Sequence, residues 1–513
     1  MIMIEWFIFF LIIQVIHFFG TWKLYKKAGR KSWEAIVPIY NAIVLMKIIK
    51  RPTWWVILLF IPIINLLMFP VIWVETVRSF GKYKTIDSIL AVATLGFYSY
   101  YLNYIEKVAY IEDRSLKSRT ELGEWVSSIV FAIIAATLVH TYIMQPYTIP
   151  TSSLEKSLLI GDFLFVSKFH YGARAPMTTV AAPMVHDSLP FIGKKSYLQK
   201  PQLPYFRIPG FQNIKRNEIV VFSWPVDTVQ RFFDTSNIHI KKPIDKKSNY
   251  VKRCVGIPGD SLEIRDGYIY INGDKTVLPD RAKTQYMHKV VTKGQQLSGA
   301  TLKRYGVTEG RNFGEYYNLN LTDENAEKLK NNPLITSVTK QLTPSGTYNS
   351  RVFPHNEQYA WSDDNYGPIY IPKAGETIAL NSESLPFYKR IIEVYENNNL
   401  TVNGDEIFIN GKLTTEYTFK QDYYWMMGDN RHNSEDARYW GYVPFDHVVG
   451  KPVFIWFSWD TNGEGIAEKI RWERVFTTVH GSGKPVSYLY YFIGALVLWF
   501  GYSTYRKRKR EEG

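Results

Sequence analysis

The chain has 513 residues, of which 46% are hydrophobic and 16% aromatic, enough for two to four domains with large cores. The single cysteine, Cys254, excludes a disulfide framework and fits either the cytosol or an exported domain. The net charge is +14, and residues 1–124 carry 15 Lys and Arg against 9 Asp and Glu. Basic residues beside apolar runs are typical of membrane topology, so the charge does not indicate nucleic-acid binding.

Five apolar runs predict membrane-spanning helices, each of which needs about 17–25 residues. In chain order they cover residues 3–19, 54–74, 86–105, 125–143 and 486–503. The second run contains Pro62 and Pro70, which neighbouring helices can accommodate in a membrane. The first run lacks a basic leader and a small-residue cleavage site, which predicts a retained helix and not a removed signal peptide.

The positive-inside rule predicts the orientation of these helices. Basic residues concentrate in the loop after the first run, the loop before the fourth and the C-terminal tail: Lys23, Lys26, Lys27, Arg30, Lys31, Lys47, Lys50, Arg51, Lys107, Arg114, Lys117, Arg119 and 506–510. Placing all three on the cytoplasmic side puts the N-terminus and residues 144–485 outside. A short loop with Arg78, Lys82 and Lys84 then falls on the wrong side.

The predicted organisation has four parts. Residues 1–123 form a membrane region with about three transmembrane helices, 124–143 a further helix, 144–485 an exported domain, and 486–513 a last helix with a basic cytoplasmic tail. The exported domain alternates short β-rich runs with turns such as Asn272-Gly273 and Asn410-Gly411, which predicts a mainly-β fold.

Two further features concern the exported domain. Residues 276–398 are polar and irregular, and we interpret them as an insertion without a catalytic pattern. Residues 267–273 resemble residues 405–411, which indicates two similar hairpins or, less economically, a duplicated domain.

Three segments of the exported domain combine residues that can do chemistry. Ser153 lies ten residues beyond the fourth apolar run, and a serine hydroxyl needs an adjacent base to act as a nucleophile. Lys252 alternates with apolar neighbours, and an inward-facing lysine loses hydration, which lowers its pKa. Residues 428–441 form a dense polar cluster between apolar strands. Taken singly, each segment is better explained as a turn, a strand edge or a salt-bridged loop.

Together these segments resemble the ordered sequence boxes of bacterial type I signal peptidases. The matching stretches are PTSSLEKSLLIGDFLFVSK from Pro150, RNEIVVFSWP from Arg216, YVKRCVGIPGD from Tyr250 and GDNRHNSEDARYWGYVP from Gly428. The resemblance covers most of residues 125–260 and 420–460. It implies a membrane-bound serine endopeptidase of the bacterial inner membrane, with a serine–lysine dyad on an antiparallel β fold at the periplasmic face.

The resemblance also implies residue roles. Ser153 matches the nucleophile, Lys252 the general base and Ser434 the hydroxyl that orients the lysine. Further matches are an oxyanion donor at Thr151, with the backbone N–H of Ser153, a supporting ion pair of Asp436 and Arg438, and scaffold positions at Asp429 and Arg431. The resemblance also implies small substrate pockets, for which the candidates are Ile149, Pro150, Leu154, Tyr250 and Val251.

The chain departs from the family pattern at several positions. Leu154 replaces the usual Met after the nucleophile, and Lys156-Ser157 replaces the usual Pro-Thr, which affects the rigidity of the loop. Ser152 stands beside Ser153, and the spacing to Gly161-Asp162 favours Ser153. The insertion is long, and the N-terminal helices exceed the expected one or two anchors.

The implied substrates are signal peptides of exported preproteins, bound as an added strand. The other implied partners are the lipid bilayer and, as a further expectation, the export machinery; nucleic acid, metal and cofactor are not expected. An aromatic surface with Phe163, Phe165, Trp224 and Trp456 would rest on lipid or pack in the core. The alternatives are an inactive export scaffold, a serine–lysine autoprotease, and a Ser–His hydrolase using His170 or His432.

Overall fold

The computed structural model describes residues 2–117, 120–229, 239–461, 463 and 465–511, so the predicted basic residue Arg119 lies outside the described residues. The chain forms two compact units. The first unit comprises residues 1–143, 174–208 and 229–246, and the second comprises residues 144–173, 209–228 and 247–513. Two segments that the sequence assigns to the exported domain, 174–208 and 229–246, therefore cluster with the N-terminal residues.

The helices of the first unit all lie in residues 2–143 of its described part. They are α1 (Ile2–Lys27), α2 (Tyr40–Ile48), α3 (Trp55–Leu58), α4 (Ile64–Ser79), α5 (Thr85–Ala93), α6 (Tyr98–Tyr104) and α7 (Glu121–Leu138), which continues as a π-helical turn over Val139–Ile143. Two stretches, Met3–Lys27 and Glu121–Ile143, are long and apolar enough to cross a membrane.

The second and third apolar runs are divided in the structure. Helix α3 ends at Leu58 and α4 begins at Ile64, because Pro62 has no backbone N–H and also restricts the residue before it. The third run is split between α5 and α6 at Gly96, whose φ is +85°. A Cβ on Gly96 would lie 2.5 Å from the indole nitrogen of Trp73, so only glycine fits there. Continuous helices over residues 54–74 and 86–105 were therefore wrong predictions.

The second unit is mainly β, as predicted. Its strands are β1 (Met144–Thr148), β2 (Asp162–Ser167), β3 (Ile219–Ser223), β4 (Asn249–Gly256), β5 (Ser261–Arg265), β6 (Tyr268–Ile271), β7 (Asp274–Lys275), β8 (Tyr286–Thr292), β9 (Gly310–Asn312), β10 (Tyr316–Leu321), β11 (Ile335–Lys340), β12 (Tyr366–Tyr370), β13 (Thr377–Ala379), β14 (Leu400–Asn403), β15 (Glu406–Ile409), β16 (Lys412–Leu413), β17 (Glu416–Thr418), β18 (Tyr423–Met427), β19 (Val443–Pro444), β20 (Val448–Ser458) and β21 (Thr477–Thr478).

Short helices interrupt these strands. They are α8 (Gly299–Arg304), α9 (Asp323–Lys330), α10 (Leu385–Arg390), α11 (Ala437–Trp440) and α12 (Ile466–Lys469), and the chain ends in α13 (Leu489–Glu511). Helix α13 covers most of the predicted fifth apolar run and ends in the basic tail.

The largest sheet positions the candidate site. Its strand order is β1-β2-β20-β3-β4-β18-β19, with β21 paired to β20, and the neighbouring pairs are antiparallel. Alternate residues of a strand point to opposite faces of a sheet. On β4, Cys254 therefore faces one apolar cluster with Val220 and Phe222, whereas Val251 packs on another cluster with Val221 and Leu154.

The predicted insertion contains regular structure. Strands β11, β8, β10 and β9 form a four-stranded antiparallel sheet, against which α9 packs through Ala326 and Leu329. The prediction of an irregular segment over residues 276–398 is corrected accordingly. The two similar stretches form the hairpins β5–β6 and β14–β15 in different sheets, as expected for two similar hairpins.

Candidate active site

The loop between β1 and β2 carries Ser153. Ser152–Leu154 form a single 3₁₀ turn that begins at Thr151, whose side chain makes no capping hydrogen bond. The base of the loop is closed by backbone hydrogen bonds between Ile149 and both Gly161 and Asp162. Leu154 is buried in the apolar cluster beneath the sheet, so it anchors the turn while Ser153 stays half-buried. We call residues 151–157 the nucleophile loop.

The polar segment 428–441 contacts the nucleophile loop directly. The backbone N–H of Asn430 donates to the carbonyl oxygen of Ser153 at 3.1 Å. A Cβ on Gly428 would lie 2.2 Å from Ser434 Oγ and 2.5 Å from the Ser153 carbonyl oxygen, so only glycine fits. Ser153, Gly428 and Ser434 therefore occupy one small volume, although nearly 280 residues separate Ser153 from the other two.

Lys252 reaches the same place from β4. Arg253 pairs with Met427 across the antiparallel strands β4 and β18, and one further step of this register puts Lys252 opposite Gly428. The Lys252 side chain is buried, and its Nζ lies 5.5 Å from the centre of the Tyr250 ring. The sequence left two directions open for Lys252, an inward-facing base or a strand-edge charge, and the structure shows the inward one.

Burial controls the protonation of Lys252. Loss of hydration lowers the pKa of its ammonium group to about 8. The carboxylates of Asp436, Glu435 and Asp429 raise this pKa, but the effect of burial is larger. A lysine with a pKa near neutrality is neutral in an appreciable fraction of molecules and can accept a proton. The site thus combines a hydroxyl in a tight turn with a buried amine suited to act as a base.

Ser434 is buried beside this amine. Its Oγ has no hydrogen-bond partner among the described residues. A buried hydroxyl without a partner is costly and therefore rare in folded proteins. An orienting hydrogen bond between Ser434 and Lys252 is not formed in this structure and stays a prediction.

Asp436 and Arg438 form a buried ion pair. Arg438 donates from Nε to Asp436 Oδ1 at 2.8 Å and from its terminal nitrogen to Oδ2 at 2.9 Å. Asp436 also accepts the backbone N–H of Gly428 at 3.0 Å. Burial raises the pKa of the Asp436 carboxyl, but Arg438 outweighs this and holds that pKa below its ordinary value. The pair therefore fixes Gly428 relative to Asp436 and Arg438 within segment 428–441.

Asp429 pairs with Arg253 and not with the neighbouring Arg431. Arg253 makes a bidentate ion pair with Asp429, with N···O distances of 2.7 and 2.6 Å, and both side chains are buried. Ser157 donates a hydrogen bond to the same carboxylate at 2.5 Å. Arg431 instead donates to the carbonyl of Gly267 at 3.3 Å. The scaffold role of Asp429 thus includes anchoring the end of the nucleophile loop.

The predicted pocket residues separate into two groups. Ile149, Leu154 and Val251 share one apolar cluster under the nucleophile loop. Tyr250 lies on the other face of β4, stacked on Trp224 with ring centres 5.1 Å apart. Pro150 is exposed beside the loop. The structure therefore brings three of the five residues together and leaves Tyr250 nearer to Lys252.

The predicted aromatic surface is also divided. Phe163 and Phe165 lie against Trp456, with ring centres 5.5 and 5.8 Å apart, and all three are half-buried. Trp224 instead packs with Tyr250 in the larger core cluster. The three clustered rings, but not Trp224, form a continuous aromatic patch on β2 and β20.

Neither histidine of the alternative hydrolase reading is placed as a base for Ser153. His432 accepts the N–H of Met287 at Nδ1 and faces Asp364 at 2.8 Å from Nε2. His170 lies 2.5 Å from Ser167 Oγ through Nδ1. Both rings are therefore engaged outside the nucleophile loop.

Sequence reasoning missed several residues that support the site. Arg253, Ser157, Asn430 and Glu309 all bond to segments that carry predicted site residues. Arg253 could have been inferred, since a buried Asp429 requires a cation. Glu309 has no such signal, because it lies in the predicted insertion and its neighbours are remote in sequence.

Comparisons with known proteins identify the family of the chain. Residues 122–321 and 339–459 match the family described as signal peptidase, peptidase S26. Residues 33–113 match a family of unknown function (DUF5684). The chain is 25% identical over 362 residues to a signal peptidase I of Buchnera aphidicola, covering 70% of this chain and 82% of the relative. It is 26% identical over 382 residues to a signal peptidase I of Helicobacter pylori, covering 70% and 94%.

A signal peptidase I of Rickettsia massiliae is 24% identical over 387 residues, covering 72% of this chain and 97% of the relative. The two family matches adjoin each other, and the peptidase match takes in the nucleophile loop, Lys252 and segment 428–441. The chain therefore belongs to the signal peptidase family, peptidase S26.

Proposed function

We propose that this chain removes N-terminal signal peptides from exported preproteins, with Ser153 as nucleophile and Lys252 as general base. The family membership carries the activity, signal-peptide cleavage by a membrane-bound serine peptidase. One observation supports the residue roles. The buried amine of Lys252, whose pKa is lowered to about 8, lies opposite Gly428, the glycine next to the Ser153 carbonyl.

The reaction follows from these groups. Neutral Lys252 takes the proton of Ser153 Oγ as the oxygen attacks the scissile carbonyl carbon. The backbone N–H of Ser153 and the hydroxyl of Thr151 donate to the oxyanion that forms, and such donors are worth about 3–4 kcal/mol each. Protonated Lys252 then gives its proton to the departing amine of the mature protein. Water, deprotonated by Lys252, hydrolyses the ester and releases the signal peptide.

Ser434, Asp436 and Arg438 are assigned supporting roles. The Asp436–Arg438 pair fixes Gly428 and with it the place of Ser434. The unpartnered Ser434 Oγ is the hydroxyl that we assign to orient the amine when Lys252 loses its proton. The exclusion of water from Lys252 by these buried residues keeps its pKa low.

The substrate is proposed to bind extended beside the nucleophile loop. Ile149 and Leu154 are buried in one apolar cluster, the partly buried Val251 packs against it, and we assign the contact with alanine-like residues before the cleavage site to this part of the domain. Pro150 borders this cluster, whereas Tyr250 contributes from the Lys252 side. The aromatic patch of Phe163, Phe165 and Trp456 provides contact with lipid.

Contacts within the first unit support a revised membrane path. Glu75, near the end of α4, pairs with Arg51 at 3.0 Å and with Arg114 at 2.5 Å. Arg51 and Arg114 belong to the loops that the positive-inside rule places in the cytoplasm. The start of α4 lies elsewhere, because Ile63 packs with Ala181 and Tyr197. We infer that α4 runs from the outer to the inner side.

This path removes the one conflict in the predicted topology. Residues 52–63, with the single helical turn of α3, are shorter than a spanning helix, so they enter the membrane and α4 returns as a re-entrant pair, which leaves the third run, in α5 and α6, on the cytoplasmic side. Arg78, Lys82 and Lys84 then join the other basic loops. The N-terminus and the peptidase domain are outside and the basic tail is inside, in the bacterial cytoplasmic membrane. Association with the export machinery is consistent with this placement.

Cysteine accessibility tests the path. A cysteine at the exposed Lys84, in a Cys254→Ala background, should react with a membrane-impermeant maleimide only after cells are permeabilised. A matched cysteine at the exposed Lys412 should react in intact cells. Labelling of Lys84→Cys in intact cells would restore the third run as the returning helix.

Cleavage of a labelled preprotein tests the function. The full chain in phospholipid vesicles should release a mature protein whose new N-terminus follows a small residue. Replacing that small residue of the preprotein by Phe should abolish the product, because a pocket for alanine-like residues does not accept a large ring. Equal cleavage of both preproteins would contradict a signal peptidase activity.

A further inference from the structure

The insertion reaches the nucleophile loop through residues 306–310, just before β9. A Cβ on Gly306 would lie 3.7 Å from Lys156 Nζ. Thr308 hydrogen-bonds the side chain of Glu155, which is buried. Glu309, the next residue, lies between the loop and segment 428–441. The insertion therefore packs on the loop at consecutive positions.

The Glu309 carboxylate accepts hydrogen bonds from three side-chain amides. Its Oε2 accepts from the Nδ2 of Asn320 at 3.0 Å, of Asn430 at 2.9 Å and of Asn433 at 2.9 Å. Ser152 also hydrogen-bonds this carboxylate. Burial raises the pKa of Glu309, but these hydrogen bonds outweigh it and lower the pKa below its ordinary value. Glu309 is therefore an anion at neutral pH.

Two of these amides, those of Asn430 and Asn433, also hydrogen-bond the nucleophile loop. Asn430 Nδ2 also donates to the carbonyl of Ser152 at 3.2 Å, while its backbone N–H donates to the carbonyl of Ser153. Asn433 Nδ2 also donates to Ser152 Oγ at 3.2 Å. An amide nitrogen has two N–H groups, so one held on Glu309 fixes the direction of the other.

The loop also lacks the proline that stiffens it in the family pattern. Lys156 stands where the family pattern has proline, and its φ is +70°. Proline is restricted to φ near −65°, so it cannot occupy this conformation. A loop with a strained non-glycine residue persists when its surroundings hold it. The contacts from residues 306–310 and segment 428–441 supply that support.

We propose that Glu309 is a positioning residue for the nucleophile, which holds Ser152 and Ser153 in place through Asn430 and Asn433. This inference rests on the proposed function of Ser153. It assigns a catalytic purpose to an insertion for which the sequence offered none. Charge-assisted hydrogen bonds are roughly twice as strong as neutral ones, so the carboxylate is suited to order several amides at once.

Steady-state cleavage by the full chain tests the proposal. Glu309→Ala should lower kcat at least tenfold with KM within about twofold, because the proposed pocket residues do not contact Glu309. Glu309→Asp, which keeps the charge, should recover part of the loss. The midpoint of the pH–rate profile should move little, since Glu309 is not among the charges with the largest effect on Lys252. A role confined to stability would lower the amount of folded enzyme and not kcat per active site.

Two further variants keep the test decisive. Asn433→Ala changes an exposed residue and should reduce kcat in the same direction without unfolding the chain. Glu324→Gln, an exposed carboxylate of α9 paired with Lys328, is the control and should retain full activity. Unchanged kcat in both Glu309→Ala and Asn433→Ala would overturn the inference. If Ser153→Ala were also active, the proposed function itself would have failed.

Discussion

The exposed carboxylate of Glu435 offers a mild perturbation of the proposed base. Glu435 lies between Ser434 and Asp436, and its negative charge raises the pKa of Lys252. Glu435→Gln should therefore lower that pKa below its value of about 8 without disturbing buried structure. Because the charge is exposed, we expect an effect of about 1 kcal/mol or less. An effect of about 0.7 kcal/mol, within that limit, corresponds to about half a pKa unit.

The change in rate follows from the fraction of neutral lysine. With a pKa of about 8, about a tenth of Lys252 is neutral at pH 7. A fall of half a unit raises this fraction to about a quarter, so kcat/KM at pH 7 should rise about 2.5-fold. At pH 9.5 Lys252 is mostly deprotonated in both the wild type and Glu435→Gln, so their values of kcat/KM should converge.

The assay is kcat/KM between pH 6 and pH 10, which reports ionisations of the free enzyme. The control is Glu416→Gln, an exposed carboxylate that is not among the charges acting on Lys252. High salt should shrink the difference, because exposed charges are screened. A wild-type midpoint near 10, or a midpoint that rises in Glu435→Gln, would refute the assignment of Lys252 as a buried base.

Two other outcomes follow from the geometry. Lys252→Met should be inactive and yet more stable at pH 7. The folded-state pKa of about 8 lies below the ordinary 10.5, so protonated Lys252 costs the fold about 3 kcal/mol below pH 8. That cost fades as pH rises from 8 to 10.5, so thermal scans of the two proteins should converge there; a constant difference would contradict the burial argument. Gly428→Ala should lower kcat at least 100-fold, because its Cβ would meet the Ser153 carbonyl at 2.5 Å and Ser434 Oγ at 2.2 Å. The control is Gly299→Ala, whose Cβ meets nothing within 4 Å, and equal activity of the two variants would count against the shared volume.

The sequence predicted the site better than its surroundings. Lys252 was singled out by its alternation with apolar neighbours, which left its direction open, and the structure buries it. The polar segment 428–441 was identified as a unit because crowded polar groups need one another, and the Asp436–Arg438 pair satisfies that need. Both inferences depend on residues that are close in sequence. Local rules are sufficient there.

The remaining features depend on contacts between distant residues. Glu309 acquires its role from amides as far away as Asn433, and nothing in its own segment indicates this. The membrane runs were recognised from apolarity, which does not show where a helix ends. Pro62 and Gly96 interrupt two of them, and the return path of α4 depends on the pairing of Glu75 with Arg51.

The central claim is that Ser153, and not its neighbour, attacks the preprotein. Ser152 already bonds Asn433 and Glu309, whereas Ser153 stands at the glycine opposite Lys252. The direct measurement is preprotein cleavage by Ser153→Ala, Ser152→Ala and Lys252→Ala in vesicles. We predict no product with Ser153→Ala or Lys252→Ala and residual cleavage with Ser152→Ala. Undiminished cleavage by Ser153→Ala, or abolition by Ser152→Ala alone, would contradict the account.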